Sequence, residues 1–173
     1  MKTTIISYSM TGNNDKLASG IASKLNARHI RITEPKKRTN GTIALDMLLN
    51  RKPKINESMD DVDTSGLVLL FAPVWMGKVA SPLRGVLKEL KPRIEKYAFI
   101  SLSGGADGPN PKLSKELKNR LGRPPEAVID MHIADLLPSD PKPTRQNTSD
   151  YRLDNEDAET LIGKAMRELG EID

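Results

Sequence analysis

The chain has 173 residues, of which 37% are hydrophobic and 29% charged, the balance expected of a single globular domain spanning 1–173 rather than a disordered or membrane-spanning chain. It contains no cysteine, which excludes disulfides, thiolate catalysis and cysteine metal sites and makes the cytoplasm the expected compartment. With His29 and His132 as its two histidines, no metal site is expected either.

Residues 3–8 are short, β-branched and apolar, the pattern of a buried first strand. The stretch from Met1 accordingly reads as strand and not as a secretory signal. A Ser/Thr/Gly/Asn cluster at 9–14 precedes Leu17, Ala18, Ile21, Ala22 and Leu25, which recur at helical spacing and form one packing face. Residues 28–33 alternate polar and apolar, as in a second strand near the sheet edge. The least regular stretch is 36–66, with a helix predicted at 42–50. The continuous apolar run 67–72 predicts a central strand covered on both faces. A loop at 73–81 leads to a helix near Pro82, a residue favoured at a first helical position. A fourth strand is expected at 97–102, a glycine-rich loop at 103–108, a basic helix at 112–121 and a fifth strand at 127–133. The Pro-, Ser- and Asp-rich segment 138–150 reads as a mobile surface loop. A last helix opens at Asp154 or Asn155, with Ala158, Leu161, Ile162, Ala165, Met166 and Leu169 as its buried stripe.

Strand alternating with helix through five rounds predicts an α/β fold: a doubly wound five-stranded parallel sheet in strand order 2-1-3-4-5. Ligands of such sheets sit outside the strand carboxyl ends, at the switch point between strands 1 and 3. Three loops converge there. Ser9-Met10-Thr11-Gly12-Asn13-Asn14 joins a strand to a helix N-terminus, where free N–H groups and the helix dipole favour an anion such as a phosphate. Taken alone, this loop is more simply read as a helix cap and turn. It matches neither a Walker loop nor a dinucleotide G-x-G-x-x-G turn. The stretch 72–82 holds Trp75, whose flat face suits a planar ring; a Trp covering the core edge is an equal reading. Ser103-Gly104-Gly105-Ala106-Asp107-Gly108 would permit close backbone approach.

These residues resemble those of a known family. Tyr8 to Asn14, Ala72-Pro73-Val74-Trp75-Met76-Gly77 with Ala80 and Pro82, and Ser103-Gly104-Gly105 are similar to the three flavin loops of flavodoxins, in the right order across nearly the whole chain. The resemblance implies a flavodoxin-like fold and an FMN cofactor. By the same resemblance Ser9, Thr11, Gly12, Asn13 and Asn14, with Met10 in the same loop, would hold the phosphate. Pro73, Val74, Trp75, Met76 and Gly77 would border the isoalloxazine ring, and Ser103, Gly104 and Gly105 its pyrimidine side. Two departures stand out. The third loop lacks the second stacking aromatic, and the chain is basic (net charge +4, pI about 9.3) where flavodoxin electron carriers are acidic.

Basic residues gather at Lys36-Lys37-Arg38, at Arg51, Lys52 and Lys54, and from Lys112 to Arg123. A nucleic-acid face would interleave such charge with aromatics, of which there are few, so solvated helix faces and an acidic redox partner protein are expected, with no nucleic acid and no membrane. The flavin would carry the redox chemistry. No side chain is an evident nucleophile or general base, so no catalytic residue is assigned, and both histidines are expected to be structural. Lys78, following Gly77, is expected beside the flavin. The functional expectation is electron transfer between redox partners. The alternatives are an NAD(P)H-dependent reductase of quinones or similar acceptors, and a domain of this fold that has lost flavin. The oligomeric state is not legible.

Overall fold

In the computed structural model, which describes residues 2–36 and 38–171, five parallel strands form one sheet: β1 (Thr3–Tyr8), β2 (Arg28–Ile32), β3 (Leu67–Phe71), β6 (Lys96–Ser103) and β7 (Ala127–His132). Their spatial order is β2-β1-β3-β6-β7, the expected 2-1-3-4-5 when the sheet's own strands are counted. Met1, and Lys37 of the first basic cluster, lie outside the described residues. The central strands read as apolar runs because both faces are covered. Every residue of β3 is buried, and all of β6 beyond Lys96.

Successive side chains point to opposite faces, so each strand feeds two cores. Ile6, Val68, Leu70, Tyr97 and Phe99 face one, with α3 (Ser81–Leu90) and α4 (Leu113–Leu121) packed on them. Ile5, Leu69, Phe71, Ala98 and Ile100 face the other, under α1 (Asn13–Leu25) and α6 (Asn155–Leu169). Helix α6 starts at an Asp154 capping box, as its acidic first turn predicts.

Four expectations are corrected. The helix read at 42–50 is α2, Asn40–Leu48, set two residues earlier by a capping box at Thr39, whose side chain accepts from the Thr42 N–H. The segment read as a loop at 73–81 contains a hairpin, β4 (Val74–Trp75) paired antiparallel with β5 (Lys78–Val79). Met76 and Gly77 form its two-residue turn with φ of 51° and 71°, the positive pair that tight hairpins favour and that Met adopts only under constraint. The fifth strand ends at His132, since Ile133–Leu136 coils into a 3₁₀ turn. The segment 138–150, read as a mobile surface loop, holds α5 (Arg145–Asp150), opened by a Thr144 capping box and anchored through buried Thr148. Polar composition had concealed it, because α5 packs on a glycine backbone instead of through an apolar stripe.

Candidate functional site

A cleft opens at the carboxyl ends of β1, β3 and β6, where the strand order reverses. It has two connected compartments of about 500 and 850 Å³ that share Ile43, Val74, Trp75, Ser103, Gly104, Thr148 and Ser149. The smaller reaches Met10, Thr11, Asn13, Asn14 and Pro73, and the larger reaches Met76, Gly77 and Gly105. Twelve of the fourteen residues singled out in the sequence therefore line one cleft. Ser9 and Gly12 do not line it. The Ser9 hydroxyl accepts from the Asn14 N–H at 3.2 Å, and Gly12 turns the chain into α1 with φ of 91°.

The two asparagines that open α1 do scaffold work with their side chains. Asn14, 2% exposed, donates from Nδ2 to the Leu102 carbonyl and accepts from the Leu102 N–H, both at 2.9 Å. Leu102 needs this partner. Two residues earlier the Ile100 carbonyl still accepts from Ala72, but β3 ends there, and the next peptide groups on that edge of β6 would be orphaned. The Asn14 amide stands in for the missing strand. Asn13 makes the same pair of bonds to another segment, donating to the Tyr151 carbonyl at 3.0 Å and accepting from Leu153 N–H at 3.1 Å. The Thr11 N–H and hydroxyl and the N–H groups of Gly12 and Asn13 are not hydrogen-bonded among the described residues.

Trp75 forms one wall, and it is fixed from behind. Arg38 sits over the indole with Cζ 5.7 Å from the ring centroid, and the Tyr8 ring meets it edge-on at 5.9 Å. The Arg38 side chain is 6% exposed and bridges Glu34 and Asp46, with 2.8 Å from Nε to Glu34 and 2.6 Å from Nη1 to Asp46. The Glu34 hydrogen bonds raise the guanidinium above its ordinary range and keep it charged. Burial, reinforced by Glu34, raises the Tyr8 phenol, which stays protonated and donates to Glu34 at 2.9 Å. The cleft thus meets an indole whose far side carries a cation, itself held between two carboxylates.

The opposite wall is the 103–108 loop backed by α5. A Cβ on Gly104 would lie 2.8 Å from the Thr148 hydroxyl, and one on Gly105 would lie 2.3 Å from Cβ of His132. Both glycines are thus explained first by packing. The Ser103 hydroxyl accepts from the Val74 N–H at 2.8 Å, tying the hairpin to β6. Behind Gly105, His132 lies 3.3 Å from the Asp130 carboxylate. That contact raises the imidazole above its ordinary 6.5 despite burial. Burial alone would raise the Asp130 carboxyl, but His132, Ser101 and Asn110 outweigh it and bring it to about 2. His29 is also structural, 2.8 Å from the buried Ser7 hydroxyl that donates to Asp15, and burial lowers it.

Ile43 and Ala44 of α2 also line the cleft, as do Gln146, Asp150 and Arg152 around α5, none of them among the residues singled out from the sequence. A short polar helix with its own capping box was the available signal for α5. The Arg152 guanidinium bonds the Ser149 and Tyr151 carbonyls through Nη1 and keeps its remaining donors free among the described residues. Lys78 is placed differently from expectation. It lines a separate groove between the hairpin and helices α3 and α4, not the cleft.

No protein-family model matches this sequence, and neither does any curated protein. Solved structures do match in three dimensions. A flavoprotein from Lactobacillus acidophilus NCFM, solved in complex with FMN, superposes with a TM-score of 0.64 at 24% identity, covering 75% of this chain and 92% of that one. Two-electron reduced flavodoxin from Megasphaera elsdenii gives 0.52 at 14% identity, covering 81% and 91%. This chain has the flavodoxin-like fold. A protein from Bacteroides eggerthii DSM 20697, provisionally classed as a flavoprotein, covers 94% of this chain and 96% of its own at a TM-score of 0.64 and 13% identity. A flavodoxin-like sheet explains why three loops far apart in sequence share one cleft, since β1, β3 and β6 are neighbours with parallel carboxyl ends. Among the described residues no helix is long and apolar enough to cross a membrane, and no three His, Asp or Glu side chains are grouped for a metal.

Proposed function

We propose that this chain is an FMN-binding flavoprotein that passes electrons between redox partners. The observation that carries the reading is Trp75: an aromatic wall, fixed from behind by Arg38 and Tyr8, in a cleft at the topological switch point. The residues present fit the group. Thr11, which lines the smaller compartment, offers an unbonded N–H and hydroxyl just before α1, where the helix dipole adds attraction for a phosphate, and Arg152 brings a cation to the same compartment. Asp150 lies there too, so the charge favouring an anion comes from the helix start and Arg152 together.

The larger compartment suits a flat ring, with Trp75 on one side and the backbone of Gly104 and Gly105 on the other. When bound, FMN would supply the redox chemistry. The chain's own part is to hold the phosphate, to stack one face of the ring and to exclude water from it. Titrating the purified protein with FMN, following flavin fluorescence and Trp75 emission, tests the cofactor. Quenching of both at a one-to-one ratio is expected, and no change in either would refute it. Adding NAD(P)H to the loaded protein tests the relay, which predicts no direct bleaching of the flavin. Rapid bleaching by NAD(P)H, followed by return of the flavin colour when a quinone is added, would favour a reductase instead.

A further inference from the structure

Beside the cleft the surface changes character. Ala44 lines the cleft with Met76 and Gly77, and α2 continues from there with Leu45, Leu48 and the capping Leu49 turned outward. These three sit at i, i+3 and i+4, one face of the helix. Leu48 is 81% exposed and Met76, at the hairpin tip, 77%. Past the end of α2, a groove of about 560 Å³ runs between the hairpin and helices α3 and α4, lined by Lys52, Lys78, Lys88, Lys91, Arg120 and Glu116 among others. Arg120 pairs with Glu116, while none of the four lysines is in an ion pair among the described residues. On the far side, Glu57, Asp60 and Glu89 return the surface to mixed charge.

We propose that this face, apolar at Leu45, Leu48, Leu49 and Met76 and basic along Lys52, Lys78, Lys88 and Lys91, is the docking surface for an acidic redox protein. Exposed apolar side chains beside a charged border are the make-up of a transient protein interface, and charge complementarity sets its on-rate. The position fits the task. Lys78 is the direct cross-strand partner of Trp75, so a protein seated on the lysines lies one hairpin's width from the ring wall. A second copy of this chain is the poorer occupant. In a two-fold interface the same patch meets itself, setting the lysines of one copy against those of the other in a chain of net charge +4. A nucleic acid would use the lysines, but the groove offers no aromatic to stack a base, and the leucines would go unused.

The inference rests on the electron-transfer reading only for the redox identity of the partner, and the test separates the two. The probe is an acidic [2Fe–2S] ferredoxin, with a basic c-type cytochrome and a single-stranded oligonucleotide as comparators. Affinity is measured by calorimetry, and the contact surface by amide shifts, on both the FMN-free and the FMN-loaded protein. Expected is a low-salt complex with the ferredoxin that maps to the α2 and hairpin residues. It should weaken about tenfold or more in the Lys78→Glu/Lys88→Glu/Lys91→Glu variant. Leu48→Ser should weaken it several-fold without changing its salt dependence. Because the FMN-free protein is measured as well, failure to bind FMN leaves this result intact. Equal affinity in the triple variant would overturn the proposal. So would shifts elsewhere, tighter binding of the cytochrome or oligonucleotide, or a concentration-dependent dimer that Leu48→Ser dissociates.

Discussion

Replacing Asn14 by alanine separates a scaffold role from a ligand role. The side chain is buried and makes two hydrogen bonds of 2.9 Å with the peptide of Leu102. Alanine leaves a buried N–H and a buried carbonyl unpaired, at about 1–3 kcal/mol each. Water entering from the cleft recovers part of this, so a net loss of about 2–4 kcal/mol is expected. With a urea slope of about 2 kcal/mol/M, the unfolding midpoint falls by about 1–2 M. The thermal midpoint falls by roughly 5–15 °C for a chain of this size. The measurement belongs on the FMN-free protein, by circular dichroism in urea, with the slope checked for constancy. Asn14→Asp keeps the acceptor for Leu102 N–H but sets a carboxylate against the Leu102 carbonyl, so it should be no better than alanine. If Asn14→Ala leaves the midpoint within about 0.2 M while FMN affinity collapses, the amide is a phosphate ligand and the reasoning fails.

Arg38→Met leaves Glu34 and Asp46 buried without their cation, which should cost about 3–5 kcal/mol and release Trp75 to a more solvent-exposed, red-shifted emission, read in the FMN-free protein. Gly66→Ala places a Cβ 2.0 Å from the Lys2 carbonyl oxygen where β1 and β3 begin to pair, so a loss of about 2–4 kcal/mol is expected by thermal melting. Its control is Gly85→Ala, where a Cβ meets nothing within 4 Å inside α3; this should stabilise by up to about 1 kcal/mol, and a matching loss in both would reject the steric argument. The Asp130–His132 pair sets a pH window. Asp130, held down to about 2, contributes stability above the ordinary carboxylate value that disappears as pH falls toward 2. His132, held above 6.5, contributes stability that is complete below 6.5 and disappears as pH rises through its folded value. Denaturation midpoints from pH 2 to 9 should therefore flatten at both ends in His132→Gln, and an unchanged profile would remove the pair from the account.

The strands of the sheet were legible because burial on two faces leaves an unbroken apolar signature, as in 67–71, and because crossovers have one hand. The meeting of three loops followed from that topology. What each side chain does there did not follow. A sequence shows Asn13 and Asn14 as donors at a helix start, and only the end of β3, one strand away, shows that Leu102 needs Asn14 more than an anion does. Gly104 and Gly105 likewise read as room for a ligand, whereas Thr148 and His132 occupy that room from behind. Arg38 was hidden among basic residues taken as solvated, since nothing local distinguishes a lysine in water from an arginine buried between Glu34 and Asp46. Helix α5 escaped because its sequence has no apolar period.

Asn13 and Asn14 are neighbours that reach to opposite places, one to the peptides after α5 and the other to the edge of β6. Two fixed points about 100° apart around a helix axis prevent it from rolling or sliding. The turn that would receive a phosphate is consequently rigid before anything arrives. A ligand would spend little of its affinity on ordering the protein and would raise the unfolding free energy only by mass action, as RT ln(1 + [L]/Kd). Loading and folding become separable events, so a chain without a ligand should accumulate as a finished fold ready to be filled.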